Sequence, residues 1–242
     1  MATIANTAGN EVLYTGEQLP VEVTGMQAMA SKMWVPFIAM GFMIVVAAFI
    51  IGLVTAGSAS DYFNASKEMR EAAATGSDLA TKKAFIESTK VWLPTFKFLG
   101  MGMLLGGVSF LLATILGSLR VGGGRVQEAL GVEVKILKPP MTAKLFPMVM
   151  MMGMMVLMVT VVIGVIVATL SYDYWNHSIA TQLNPSTSGL LSDLGTINSV
   201  KLWLEPLKFV GLAMLLSSIG LALATIVGAL RWQANRLWEI LS

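Results

Sequence analysis

The chain has 242 residues, 55% of them hydrophobic and only 12% charged, with a formal net charge of +2. Soluble domains carry about 25% charged residues, so this composition belongs to a membrane protein, and so small a positive charge gives no footing for a nucleic-acid partner. With no cysteine and one histidine, His177, a single chain offers no disulfide, thiolate metal site, cysteine nucleophile, histidine-only metal cluster or bis-histidine haem.

Residues 1–18 read as a polar N-terminal tail, and without an apolar run they are not expected to be a cleaved signal peptide. LPVEV, at 19–23, alternates apolar and polar residues as a short strand does. Lys32 to Asp61 then encloses 28 uncharged residues, predicting a first span over about 34–57. A spanning helix needs about 20 residues to cross a hydrocarbon core of about 30 Å. Pro36 is expected in the first turn, where backbone N–H groups have no intrahelical partner. The span runs out at DYFNAS, 61–66, and the loop that follows reads as helical. Ser66 or Asn64 is expected to cap a first loop helix, and Ser77 or Asp78 a second one leading into Trp92.

Lys97 to Arg120 encloses 22 uncharged residues, predicting a second span over about 97–119. RVGGGRVQEAL follows as a tail that either continues the helix or lies along the membrane surface, and LGVEV, at 130–134, again suggests a strand. Lys144 to Asp173 encloses 28 uncharged residues, for a third span over about 145–170 with Pro147 near its start. It ends at DYWNHS, 173–178. The second loop, rich in Gly, Ser and Pro, is expected to be less regular than the first. Lys208 to Arg231 encloses 22 uncharged residues, for a fourth span over about 208–230 followed by RWQANRLWEIL. Four buried helices of a soluble bundle would each show a polar face, and LGMGMLLGGVSFLLATILGSL has none.

The series of gaps is itself a repeat. At a shift of 111 residues, Pro36 falls on Pro147, Met40 on Met151 and Met43 on Met154. After a one-residue slip, Gly52 meets Gly164, and Asp61, Tyr62, Asn64 and Ser66 meet Asp173, Tyr174, Asn176 and Ser178 at a shift of 112. The shift of 111 then returns for KVWLPTFKFLGMGMLLGGVSFLLATILGSLR against KLWLEPLKFVGLAMLLSSIGLALATIVGALR, where Lys90, Trp92, Lys97, Phe98, Gly100, Thr114, Gly117 and Arg120 have identical partners. The chain therefore reads as an all-α integral membrane protein of two tandem two-helix repeats, 19–130 and 131–242. An even number of spans per repeat inserts both copies in the same sense, so a pseudo-twofold axis along the membrane normal is expected.

Lys and Arg number eight on the side of the termini and eight on the side of the long loops, so the positive-inside count ties. Four of the five arginines, Arg120, Arg125, Arg231 and Arg236, flank spans on the terminal side. On that ground the termini are expected to be cytoplasmic, in a prokaryotic inner membrane, with these arginines at anionic headgroups.

Each chemically suggestive feature has a plainer explanation. Asn64 and Asn176 match the N-glycosylation pattern, but helix capping beside an aromatic anchor explains the same residues. Asp61 and Asp173 are expected to cap the loops or pair with Lys97 and Lys208, not to hold a cation, and Tyr62 and Tyr174 to sit at the headgroups. Met150 with Met154 and Met151 with Met155 have the i, i+4 spacing that thioether ligands of Cu(I) would need, although methionine more commonly fills gaps between helices. Gly102 and Gly106, with their counterparts Ala213 and Ser217, form small-xxx-small pairs that let helices approach, expected in both copies.

No ionisable residue is expected at mid-membrane, which argues against proton relays and voltage sensors, and the ingredients of an enzyme active site are missing. The expected function is a non-catalytic structural or accessory subunit of a membrane assembly or homo-oligomer, without a cofactor or metal, in contact with lipids and other membrane subunits. A small channel or carrier for a neutral solute or a soft metal such as Cu(I) is the alternative. A third reading is a quinone- or lipid-binding subunit of a redox complex, in which Trp92, Trp203, Phe98 and Phe209 line a pocket; their commoner role is an aromatic belt.

Overall fold

The computed structural model describes residues 11–14, 25–137, 140–184, 186 and 188–242. Among the described residues six helices and two short strands follow one another: β1 (Glu11–Tyr14), α1 (Gly25–Asn64), α2 (Lys67–Glu71), α3 (Asp78–Ala129), β2 (Val134–Leu137), α4 (Met141–Trp175), α5 (Ile179–Gln182) and α6 (Ser188–Leu241). Four of them, α1, α3, α4 and α6, are long and apolar enough to cross a membrane. They exceed what a crossing requires. At about 1.5 Å per residue, the 52 residues of α3 and 54 of α6 extend roughly 80 Å, against a hydrocarbon core of about 30 Å.

The extra length comes from both loop and tail sequence. Both C-terminal tails continue their helices, α3 to Ala129 and α6 to Leu241. In the first loop Ser66 caps α2, accepting a hydrogen bond from the Met69 N–H at 3.3 Å, and Ser77 accepts one from the Ala80 N–H at 3.4 Å where α3 begins. The second loop is more regular than its composition suggested. Ser178 caps the short α5, and α6 takes up the chain from Ser188. Gly189 and Gly195 each have open space around them; a glycine inside a helix costs only about 1 kcal/mol relative to alanine, which a helix of this length absorbs.

Two further expectations are corrected. Pro36, Pro94, Pro147 and Pro206 all lie inside helices, so Pro36 and Pro147 are not first-turn residues; apolar surroundings and neighbouring helices make interior prolines tolerable in spanning helices. The alternation in LGVEV does not give a strand over those residues. Gly131 adopts a φ of +67°, open to glycine without strain, and its N–H bonds to the Glu128 carbonyl, closing α3. The strand starts only at Val134 and pairs antiparallel with β1, Tyr14 opposite Val134 and Glu11 opposite Leu137. β1 falls within the tail read as merely polar. LPVEV lies outside the described residues.

The contacts divide the chain into two compact units, and each long helix contributes to both. The first comprises 1–39, 104–152 and 214–242. Within it a Cβ on Gly107 would lie 2.5 Å from Ile38 Cγ1 and 3.2 Å from the Trp34 carbonyl oxygen, so α3 meets α1 nearly backbone to backbone. Phe37 and Phe110 pack edge to face at 5.0 Å beside this contact. Ser109 and Ser218, both buried, hydrogen-bond across α3 and α6 at 3.1 Å, and Thr225 donates to Thr142 across α6 and α4 at 2.8 Å. Leu116, Phe146, Ala222, Ile226 and Ala229 form the apolar core.

The second unit comprises 40–103 and 153–213. Small residues again set the approach. A Cβ on Gly100 would meet Ile44 and Val45 at 2.9 Å, one on Gly164 would meet Thr95 Oγ1 at 2.7 Å, and one on Gly211 would meet Leu157 at 2.8 Å. Val91, Val167, Ala168, Tyr174 and Ile197 form its core.

Candidate functional site

The second unit carries the two exit motifs and the lysines and aromatic residues that the sequence singled out, and the four arginines lie in the first. The two exit motifs are built alike and used differently. Tyr62 and Tyr174 are 9% and 5% exposed, so both rings pack on protein. The aromatic residue after each lies edge-on to it, Phe63 at 5.2 Å and Trp175 at 5.0 Å. A cation covers each of these rings, Arg70 at 5.3 Å from Phe63 and Lys83 at 4.1 Å from Trp175. Asn64 is the exposed last residue of α1. Asn176 is instead bound into the first loop: its carbonyl accepts from the Gly76 N–H at 3.0 Å and its Oδ1 from the Thr81 hydroxyl at 3.3 Å. Gly76 adopts a φ of +72° at this contact, and the Ser178 N–H donates to Thr75 Oγ1 at 2.9 Å.

The expected pairing of Asp61 with Lys97 and Asp173 with Lys208 is not what the structure contains. Asp61 lies 3.8 Å from Lys82, and Lys82 also pairs with Asp78 at 3.0 Å. The carbonyl oxygen of Asp173 lies 2.8 Å from His177 Nδ1. Lys208 forms an ion pair with Glu205, three residues earlier on the same helix. The reason is register. Gly100 faces Gly41, Ile44 and Val45, and the two helices run in opposite directions. Lys97 is therefore level with the middle of the uncharged stretch 33–60, about 20 Å along α1 from Asp61. Gly211 faces Gly153 and Leu157, which places Lys208 level with the middle of the uncharged stretch 145–172. The charge-free segments of paired helices are thus out of step, and both lysines sit where the neighbouring helix is most apolar.

At that level the two lysines differ. Lys97 is exposed. The Lys208 side chain is 3% exposed, bound to a Glu205 carboxylate that is 61% exposed, and its Nζ lies 5.4 Å from the ring centre of Phe98. Phe98 in turn packs edge to face on its counterpart Phe209 at 5.1 Å. Glu205 was missed in the sequence because charge gaps mark where charges stop, and it lies just outside one; its i, i+3 spacing to Lys208 was the available signal. Trp92 packs at the margin of the core cluster and Trp203 is partly exposed.

In the first unit, Arg125 and Arg231 are exposed, while Arg236 is held internally. It pairs with Glu239 at 2.6 Å and donates to the Glu133 carbonyl at 3.5 Å. It also lines a cavity of about 400 Å³ with Ser118, Gly122, Gln127 and Gln233. Arg120 lines a smaller one with Gln127, Lys135, Trp232 and Gln233. Gln127 ties β2 to α3, donating to the Gly123 and Lys135 carbonyls and accepting from the Lys135 N–H at 2.9 Å. On α4, Met151 and Met155 are exposed with Met148, Met152 and Met158, whereas Met150 is buried; the run presents a broad adaptable surface. Gly102 and Gly106 are buried on α3, but their counterparts Ala213 and Ser217 are exposed on α6, so the small-residue face is packed in only one of the two copies. Among the described residues no three His, Cys, Asp or Glu side chains gather as a metal site. No protein-family model, curated protein or solved structure matches the chain.

Proposed function

We propose that this chain is a non-catalytic, structural or accessory subunit of a membrane assembly or homo-oligomer. It is read as two parallel two-helix repeats, 19–130 and 131–242, related by a pseudo-twofold axis along the membrane normal. The contact of Phe98 with its counterpart Phe209 supports that axis, since equivalent residues meet where a twofold passes. The partners are lipids and other membrane subunits, the membrane is a prokaryotic inner membrane, and the termini are cytoplasmic, with Arg125 and Arg231 free to meet anionic headgroups.

The observation that carries this reading is the stagger of the apolar stretches. The uncharged segment of α3 begins level with the middle of that of α1, and α6 stands in the same relation to α4. The shared uncharged height is then about 14 residues, or about 21 Å, less than a hydrocarbon core of about 30 Å. A bilayer centred on this shared band reaches Lys97 and Lys208 or leaves apolar ends of α1 and α4 outside, and a protein neighbour resolves either exposure. Purification in a mild detergent, with native mass and identification of co-purifying chains, tests the reading. Stoichiometric partners or several copies of the 25.9 kDa chain are expected, and a lone monomer that conducts solute in liposomes would overturn it. The Glu205–Lys208 pair favours a second reading, a small channel or carrier, because charges among apolar helices often mark a solute path; flux abolished by Glu205→Gln in a monomer would establish it.

A further inference from the structure

Where α3 and α6 run on past Arg120 and Arg231, they border a groove of about 400 Å³ in the first unit, a volume in the range of small-molecule sites. Its wall on α3 is one helix face, Ile115, Leu119, Gly122 and Val126, at spacings of four, three and four. That face covers about 16 Å of helix, from inside the uncharged stretch 98–119 to beyond it. Thr114 and Ser118 also line the inner end. Their hydroxyls donate to the Phe110 and Thr114 carbonyls at 3.0 and 3.1 Å, so this end holds no unspent donor and is walled mainly by carbon. Gly122 opens the middle, since nothing lies within 4 Å of a Cβ placed there. The aligned position in the other half of the chain is Gln233, which lines the same groove from α6.

The outer end is charged. Arg236 lines it with a side chain only 12% exposed, fixed by Glu239 at 2.6 Å and by the Glu133 carbonyl at 3.5 Å. A guanidinium has five N–H donors, so each terminal nitrogen keeps a second N–H for a ligand. Glu239 lies three residues farther from the span, about 4.5 Å along the helix, and its side chain is 63% exposed. Arg125, aligned with Arg236, is exposed and lines no such groove. From the bilayer outward the groove thus presents carbon, an amide, a cation and an anion. A phospholipid that ends in an ammonium presents the complementary series: acyl chain, ester, phosphate and cation. The Arg236–Glu239 pair is neutral as a whole, so it does not select a net anion. Its dipole suits a zwitterion laid along it, with a charge-assisted hydrogen bond at either end. We infer that this groove binds one zwitterionic phospholipid with a primary ammonium headgroup, the phosphate on Arg236 and the ammonium on Glu239. This rests on the reading of the chain as a membrane protein in contact with lipids, and holds for a monomer as for a subunit.

Native mass spectrometry of the delipidated full chain reads the binding, with dioleoyl phosphatidylethanolamine, phosphatidylcholine and phosphatidylglycerol as probes. One phosphatidylethanolamine per chain is expected, held about tenfold more tightly than either other lipid, because choline and glycerol cannot make the charge-assisted bond to Glu239. Gly122→Leu should abolish binding by filling the groove, and the open space around Gly122 lets the variant fold. Glu239→Gln should bring phosphatidylethanolamine down to the level of phosphatidylcholine, Arg236→Gln should weaken all three lipids, and Arg125→Gln should change nothing. Thermal unfolding in detergent separates a lost fold from a lost lipid. If Gly122→Leu does not fold, Glu239→Gln, at an exposed carboxylate, carries the test. Equal retention of the three lipids, a preference for phosphatidylglycerol, or an undiminished preference for phosphatidylethanolamine in Glu239→Gln overturns the inference. The same spectra count the chains. A multimer or mixed complex without lipid preference sinks this inference alone, and a lone monomer that selects phosphatidylethanolamine counts against the subunit reading alone.

Discussion

α3 and α6 carry the closest sequence match between the two halves of the chain, yet the protein treats them differently. α3 is packed close at Gly100 and Gly107, as α6 is at Gly211, the counterpart of Gly100, with neighbouring side chains within 3 Å of where a Cβ would lie; the difference lies beyond that shared contact. α6 exposes Ala213, Ser217, Leu216 and Leu223, and its Gly220 and Gly228 face open space. The aligned lysines are reversed: Lys97 on the packed helix is exposed, and Lys208 on the open helix is buried against Glu205 and Phe98. Equal sequences thus do not imply equal surroundings. Two helices of like sequence share an apolar pattern, while the packing of each depends on which neighbours reach it.

The sharpest way to break the comparison is at the glycines. Gly107→Ala should destabilise the protein by about 1–3 kcal/mol, because the added methyl meets Ile38 and nearby backbone and overpacking of that kind costs this much. Gly220→Ala should be neutral or stabilising by up to about 1 kcal/mol, since alanine is the better helix former where there is room. Thermal or denaturant unfolding in detergent measures both, and equal effects would erase the distinction.

The lysines come next. Glu205→Ala strands a buried ammonium, and breaking a buried pair costs about 3–5 kcal/mol; the carboxylate is more than half exposed, so we expect about 1–3 kcal/mol after screening. Replacing Lys208 by Met as well should recover most of the loss, a coupling that a double-mutant cycle reads directly. Lys97→Met should change stability by less than about 0.5 kcal/mol, and a larger loss would mean that Lys97 has a partner of its own.

Smaller effects sharpen the contrast further. Ser109→Ala and Ser218→Ala should couple by about 0.6 kcal/mol, the usual worth of a hydrogen bond between helices in a membrane; strictly additive losses would show that the 3.1 Å contact contributes nothing. At the exits, Asp61→Ala should couple with Lys82→Ala by at most about 1 kcal/mol, less at high salt, as for other exposed pairs. No coupling between Asp61 and Lys97 is expected, and finding one would contradict the register of α1 against α3.

The sequence by itself determined that four helices are long and apolar enough to span a membrane, and it narrowed the caps to Ser66 or Asn64 and Ser77 or Asp78, because hydropathy, helix period and capping are local properties; the structure uses the two serines. It also aligned the two halves of the chain residue by residue, which is a comparison within the chain. Tertiary structure decided how the helices stand against one another. Charge gaps suggested that Lys97 and Lys208 shared a level with Asp61 and Asp173, but close approach at Gly100 and Gly211 slides the helices about 20 Å from that register. Close packing through small residues is a pairwise property, so neither the burial of Lys208 nor the covered face of α3 could be read from either helix alone.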